Sequence, residues 1–151
     1  MPVFINTQKM SFSPGKHNKL QKAVLEEYAP RFIPNARCLY VGDTTQKDLV
    51  KDDKTLKELG FEISIHDIMP DIILYQENDN HLYMIEAVTS TGPMSPERVA
   101  NLKELTKNVQ APITFVTAFP DIQTSKKFLA SLAWGTDIWL AEFPEHIINL
   151  D

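Results

Sequence analysis

Apolar and polar positions along the chain fall into two periods, one helical and one extended. From His17 the apolar residues Leu20, Ala23, Val24 and Tyr28 recur three and four apart, which predicts an amphipathic helix ended by Pro30. Residues 36–41, apolar but for Arg37, suit a buried strand, followed by a polar loop from Gly42 and Asp43. A short helix is expected over 55–59, closed by Gly60. Residues 61–66 then alternate as a half-buried strand. Two further runs, 71–75 and 82–88, apolar but for Asp71 and Glu86, flank the polar segment 76–80 and predict an antiparallel hairpin of buried strands. Ser95 before Pro96 is a helix start, a capping side chain followed by proline in the first turn, for a helix over 96–108. Residues 113–118 read as a central strand, 125–134 as a last helix and 137–141 as a last strand. Residues 1–14 show no period and end in a Ser-Pro-Gly loop signal, so they read as an arm or linker remnant. That leaves residues 15–151 as one domain. The order of elements predicts an α/β fold, a mixed sheet flanked by helices.

At 151 residues the chain can bury a core without disulfides, and 43% hydrophobic with 23% charged residues is ordinary for a globular domain. Its single cysteine, Cys38, excludes an internal disulfide and sits in an apolar run, where it reads as a core residue. No apolar run approaches the roughly 20 residues of a membrane span. The N-terminus lacks the basic-then-apolar pattern of a signal peptide, so no membrane partner is expected and the cytoplasm is the expected compartment. Net charge is −5, which weighs against a broad basic surface for nucleic acid. A nucleic-acid role therefore needs lysines gathered on one face, or a separate DNA-reading domain. Acids concentrated around a metal ion would account for part of the negative balance.

The hairpin carries the chemistry. Asp71 opens its first strand and Glu86 lies near the end of its second, so antiparallel pairing brings both carboxylates to one end of the sheet. With a backbone carbonyl beside them they make a hard-oxygen site suited to Mg²⁺. A divalent ion there polarises a phosphate and activates a water, the chemistry of phosphodiester cleavage. Glu86 among apolar neighbours is costly when ionised unless a metal or a salt-bridge partner offsets it. Glu26 and Glu27 fit a solvated helix face, or one of them turns inward as a third acid. Asp43 could ligate a metal or cap the next helix, and His66 fits a polar strand face. There is no glycine-rich phosphate loop, no Cys/His zinc cluster and no Gly-x-Ser-x-Gly elbow.

Pro70-Asp71 followed fifteen positions later by Glu86 resembles the PD-(D/E)xK nuclease core. Longer runs are more specific: His17-Asn18-Lys19-Leu20-Gln21-Lys22, Tyr40-Val41-Gly42-Asp43-Thr44, Met69-Pro70-Asp71, Ile85-Glu86-Ala87-Val88-Thr89-Ser90 with Gly92-Pro93, and Phe115-Val116-Thr117-Ala118-Phe119-Pro120. From about residue 13 to the end, the chain resembles the C-terminal catalytic domain of BsuBI/PstI-type restriction endonucleases. The resemblance implies a PD-(D/E)xK restriction-endonuclease-like core. It also implies a Mg²⁺-dependent homodimer that cuts both strands of double-stranded DNA at a CTGCAG palindrome. Full-length members carry an N-terminal helical domain that is expected to be missing here. Trp134, Trp139 and Phe143 offer an aromatic dimer surface, or belong to the core.

What the resemblance implies for the site is specific. Asp71, Glu86 and the Ala87 carbonyl would hold the ion, Glu26 or Glu27 would complete its outer shell, and Arg98, Ser90 and Lys103 are candidate DNA contacts. One position departs from the pattern: the lysine expected two residues after the Glu is Val88, which can neither position water nor stabilise charge. Lys47 is the preferred replacement, with Lys22 and Lys103 as others; failing a lysine, Thr89, Ser90 or a second metal would serve. The alternatives are a non-catalytic DNA-binding or assembly domain with a degenerate nuclease site, and a small-molecule α/β enzyme using the Asp43 loop.

Overall fold

The structure is a computed structural model and describes residues 1–45, 48–63, 69–90 and 92–151. It departs from the sequence pattern at once, because residues 1–14 are not a loose arm. β1 (Pro2–Ile5) and β2 (Gln8–Ser11) pair antiparallel around Asn6 and Thr7, which have φ of 52° and 66°. Positive φ at both central residues is what a two-residue hairpin turn demands. Asn6 also ties the turn to the main sheet: its Nδ2 donates to the Cys38 carbonyl at 2.9 Å and its Oδ1 accepts from the Cys38 N–H at 2.8 Å. Val3 and Ile5 point into the core and are fully buried. The alternation is real but only four residues long, too short to register as a period.

The first helical region also outruns its prediction. α1 (Lys16–Ala23) passes through a π turn at Val24–Tyr28 into α2 (Ala29–Phe32). Pro30 does not end the helix. The Ala29 N–H bonds the Val24 carbonyl five residues back, and the widened turn seats the proline in a new first turn where its missing N–H is not needed.

β3 (Arg37–Gly42) is the predicted buried strand, and β4 (Asp48–Lys51), unpredicted, pairs with it at the sheet edge. α3 (Asp53–Leu59) starts at Asp52, whose side chain accepts from the Thr55 N–H, and closes at Gly60 with φ 106°. A Cβ at Gly60 would lie 2.5 Å from the Asn108 carbonyl oxygen, so glycine is required there. Residues 61–63 are not a strand. Phe61 is buried beside Leu56, and the Glu62 N–H donates to Leu105. The rest of that predicted strand, including His66, lies outside the described residues.

β5 (Ile72–Gln76) and β6 (His81–Ala87) form the expected hairpin. α4 (Pro96–Leu105) begins as predicted, with the Ser95 side chain accepting from the Arg98 N–H. β7 (Ile113–Phe119) is central. The predicted helix over 125–134 is instead α5 (Ile122–Lys126) and a 3-10 turn at Leu129–Ser131. Asp121 caps an earlier start, and the Ala133 N–H donates to the Met94 carbonyl, drawing the chain away from a helical path. β8 (Thr136–Leu140) and the unpredicted β9 (Ile147–Leu150) complete the chain.

The seven-stranded sheet runs β4-β3-β5-β6-β7-β8-β9. β6, β7 and β8 are parallel and all other pairs antiparallel, which is the mixed sheet expected. Its faces are covered separately. On one, β1, α1 and the π turn supply Val3, Leu20, Val24 and Tyr28 against Ile72, Ile85, Val116 and Trp139. On the other, α3 and α4 supply Leu56, Leu102 and Leu105 against Leu39, Ile73, Met84 and Phe115. Burial on both faces is why the central strands read as apolar runs rather than alternations. Trp139 is core, while Trp134 is 80% exposed. No helix among the described residues is long and apolar enough to cross a membrane.

Candidate active site

The β5–β6 register fixes the relation between the two acids. Ile72 pairs with Ile85, and one further step sets Asp71 opposite Glu86 on the α3/α4 side of the sheet. The ladder is replaced at this end by side chains. The Ala87 N–H donates to Asp71 Oδ2 at 2.8 Å, and the Asp71 N–H donates to the Glu86 carboxylate. His17, in the first turn of α1, brings Nε2 to 3.2 Å from Asp71 Oδ2. Arg98, in the first turn of α4, reaches Glu86 Oε1 with Nη2 at 2.8 Å and Nε at 3.2 Å, and its Nη2 also donates to the Met69 carbonyl. Two helices thus aim one basic side chain each at two acids on a rigid hairpin.

These contacts open on a cleft of about 370 Å³ lined by His17, Asp71, Glu86, Ala87, Thr89, Ser90 and Gly92. Burial raises the Asp71 carboxyl above its usual range, opposed by the Ala87 N–H, His17 and Arg98. Burial first, and then repulsion from Asp71, lifts Glu86 from 4.5 to about 7 despite the Arg98 guanidinium. Two carboxylates that resist ionising together are a setting a small divalent cation relieves. Hard oxygens from two acids, with room for water and phosphate oxygens, suit Mg²⁺, which is commonly held by one or two carboxylates plus substrate. Among the described residues no three His, Cys, Asp or Glu side chains gather as a complete cage. The donor set fits an ion that keeps part of its water shell.

Of the residues singled out from sequence, Asp71, Glu86, Ala87 and Ser90 come together at this cleft. Arg98 is there too, but as the partner of Glu86 rather than an exposed phosphate contact. Glu26 is elsewhere: it pairs with Lys22 at 2.8 Å and lines a neighbouring groove, because the π turn carries it along the outer side of the helix. Glu27 lines the same groove, and Lys103 is exposed on α4 and lines neither cavity. Lys47 lies outside the described residues. Val88 is fully buried against Phe119, Ile138 and Leu140, so a side chain at this position faces apolar core and not the acids. Asp43 accepts from the Ser13 N–H and Oγ, Asn18 Nδ2 and the Thr45 N–H at 2.7–3.0 Å. It thereby locks the start of α1 to the end of β3 and so sets the place of His17. His17 was not recognisable as a site residue from its spacing; its one signal was the run His17-Asn18-Lys19.

Comparison with known proteins bears on the family and the fold. Residues 1–151 match the BsuBI/PstI restriction endonuclease domain. The chain is 38% identical over 152 aligned positions to the type II restriction enzyme BsuBI of Bacillus subtilis, covering 100% of this chain and 48% of that protein. It is 30% identical to the type II restriction enzyme AplI of Arthrospira platensis, covering 94% of this chain and 46% of that one. The solved structure of SdaI restriction endonuclease superimposes with a TM-score of 0.93 at 35% identity, covering 100% of this chain and 48% of that one. The chain spans about half the length of the curated relatives it matches. With a family match running its whole length, this chain belongs to the BsuBI/PstI restriction endonuclease domain family.

Proposed function

We propose that this chain is the Mg²⁺-dependent catalytic domain of a type II restriction endonuclease that hydrolyses phosphodiester bonds of double-stranded DNA. The observation that carries this reading is the pairing of Asp71 and Glu86 across the hairpin end, in a cleft where burial, and then repulsion from Asp71, lifts Glu86 to about 7. Asp71, Glu86 and the Ala87 carbonyl would hold the ion, which when bound supplies charge against the phosphate and acidifies a water. The chain's own groups do the positioning. The Ala87 N–H and His17 fix one oxygen of Asp71. Arg98 fixes Glu86 and concentrates positive charge beside the acids, which in this reading offsets the lysine absent at Val88. In the reaction a water oxygen bonds to phosphorus and the water gives up a proton, while one P–O ester bond breaks and the departing oxygen takes up a proton.

Similarity to the family favours a CTGCAG-type palindrome as target. A palindrome cut on both strands calls for two sites related by a twofold axis, hence a homodimer. A second reading, a DNA-binding or assembly domain without catalysis, is favoured by Val88. Plasmid DNA containing a CTGCAG site, incubated with and without Mg²⁺, separates them. Linear product only with Mg²⁺, lost in Asp71→Ala and Glu86→Ala, supports the nuclease. DNA binding with no cleavage, or cleavage unchanged in both variants, refutes it.

A further inference from the structure

Beside the acid cleft lies a larger groove of about 690 Å³. It runs between α1 and α5 across the carboxyl ends of β6, β7 and β8, the edge of an α/β sheet where ligands commonly bind. Thr89 lines both cavities, so groove and cleft adjoin. The groove is lined by four lysines, Lys16, Lys19 and Lys22 from α1 and Lys127 from the end of α5. The lining also carries four acids, Glu26, Glu27, Asp121 and Glu142, of which one is paired with a lysine and two accept backbone N–H groups. Glu26 pairs with Lys22, Asp121 caps α5 through the Thr124 N–H at 2.8 Å, and Glu142 accepts the Ile122 N–H at 3.1 Å. Lys16, Lys19 and Lys127 are exposed and form no salt bridge among the described residues, and the charges of Lys127 and Asp121 interact.

The row has a direction. Lys16 adjoins His17, which touches Asp71, so the lysines begin at the acid cleft and lead away from it along α1. At about 1.5 Å rise per residue, Lys16 to Lys19 advances about 4.5 Å along α1, against about 3.4 Å of helix-axis rise per phosphate of one DNA strand. The pair is therefore spaced for two consecutive phosphates, with Lys127 of α5 as a third contact. Glu26 and Glu27 stand at its far end, where like charge would turn the strand away.

We propose that this groove is a track for the backbone of the DNA strand flanking the bond that is cut, with Lys16, Lys19 and Lys127 contacting phosphates and Thr89 at the junction. The proposal rests on the nuclease reading for the identity of the polymer. It also resolves the net charge of −5, since the cationic footprint is one lysine row and not the whole surface.

The test is fluorescence anisotropy with a labelled DNA duplex containing a CTGCAG site, in EDTA so that nothing is cut, across salt from about 50 to about 200 mM. Counterion release predicts that the plot of log affinity against log salt loses about 0.9 of slope per phosphate contact, so Lys16→Gln/Lys19→Gln/Lys127→Gln should flatten it by about 2–3. Low-salt affinity should fall at least about tenfold. The triple Lys→Arg variant should retain the wild-type slope, and Lys57→Gln, which lines neither cavity, should change nothing. Slope and affinity unchanged in the Gln variant, or no duplex binding by the wild type, overturns the track. A flattened slope in a protein that never cuts DNA with Mg²⁺ upholds the track and removes the nuclease reading.

Discussion

Replacing Glu86 by glutamine should stabilise the metal-free protein above neutral pH, although it removes a charged partner of Arg98. Two effects compete. The Arg98 guanidinium, in contact at 2.8 Å, favours the carboxylate, while burial at 7% exposure and the facing Asp71 oppose it. The net result is a carboxyl raised from 4.5 to about 7, so the opposing effects win. Because the folded value exceeds the unfolded one, the folded state holds the proton longer. Glu86 then favours folding most below about pH 4.5, and its contribution falls as pH rises through the interval up to about 7. At about 1.4 kcal/mol per pH unit, the fully ionised side chain costs about 3 kcal/mol. Glutamine keeps the shape and an acceptor for Arg98 without the charge. Thermal melts of wild type and Glu86→Gln in EDTA at pH 5 and pH 8 measure the difference and cancel the titration of other groups. The variant should gain on the wild type between these values by up to about 3 kcal/mol, or roughly 6–12 °C in Tm. Mg²⁺ at pH 8 should then raise the wild-type Tm more than that of the variant. A wild type at least as stable as Glu86→Gln at pH 8 in EDTA would show that the Arg98 pair dominates and that the reasoning is wrong.

Other perturbations bear on the rest of the fold and site. Val88→Lys, which restores the residue of the general nuclease pattern, should destabilise by at least about 3 kcal/mol with no gain in cleavage, because position 88 faces Phe119, Ile138 and Leu140; a urea titration and a plasmid assay read both. Ile5→Ala should cost about 2–4 kcal/mol by the same titration, as for any fully packed core side chain, whereas a residue of a loose arm would cost nothing. Gly60→Ala combines a left-handed backbone with a clash against the Asn108 carbonyl and should lower stability by about 1–3 kcal/mol, visible as a lower Tm. Asp71→Asn should reduce cleavage by about 10²–10³-fold while leaving duplex affinity in EDTA within about threefold, a split that single-turnover rates and anisotropy resolve.

The hairpin and its acids were legible in the sequence because everything needed to place them is local. Two apolar runs and a polar turn fix antiparallel pairing, and pairing alone sets Asp71 opposite Glu86. The start of α4 at Ser95-Pro96 and the end of α3 at Gly60 were legible for the same reason, since a cap and a left-handed glycine act within one turn. The edge strands β4 and β9, the hairpin at residues 1–14 and the helix continuing through Pro30 were not. The hairpin is tied down by a distant partner, Cys38 for Asn6, while β4, β9 and the turn before Pro30 have near partners, Val41 for Val50, Ile138 for Ile148 and Val24 for Ala29, but are too short or irregular to show a period. The surroundings of the acids were decided by distant partners, as that hairpin was. His17 and Arg98 reach them from first turns of helices that no spacing rule connects to the hairpin, and Asp43 holds one of those helices in place through hydrogen bonds about 30 residues apart in sequence. Which carboxylates meet could be read from the amino-acid order alone, because neighbours on a strand pair are set by backbone hydrogen bonding. Which basic side chains meet them, and that Val88 is turned away, emerge only in the folded chain, because helix packing and burial, which have no sequence period, choose the direction of those side chains.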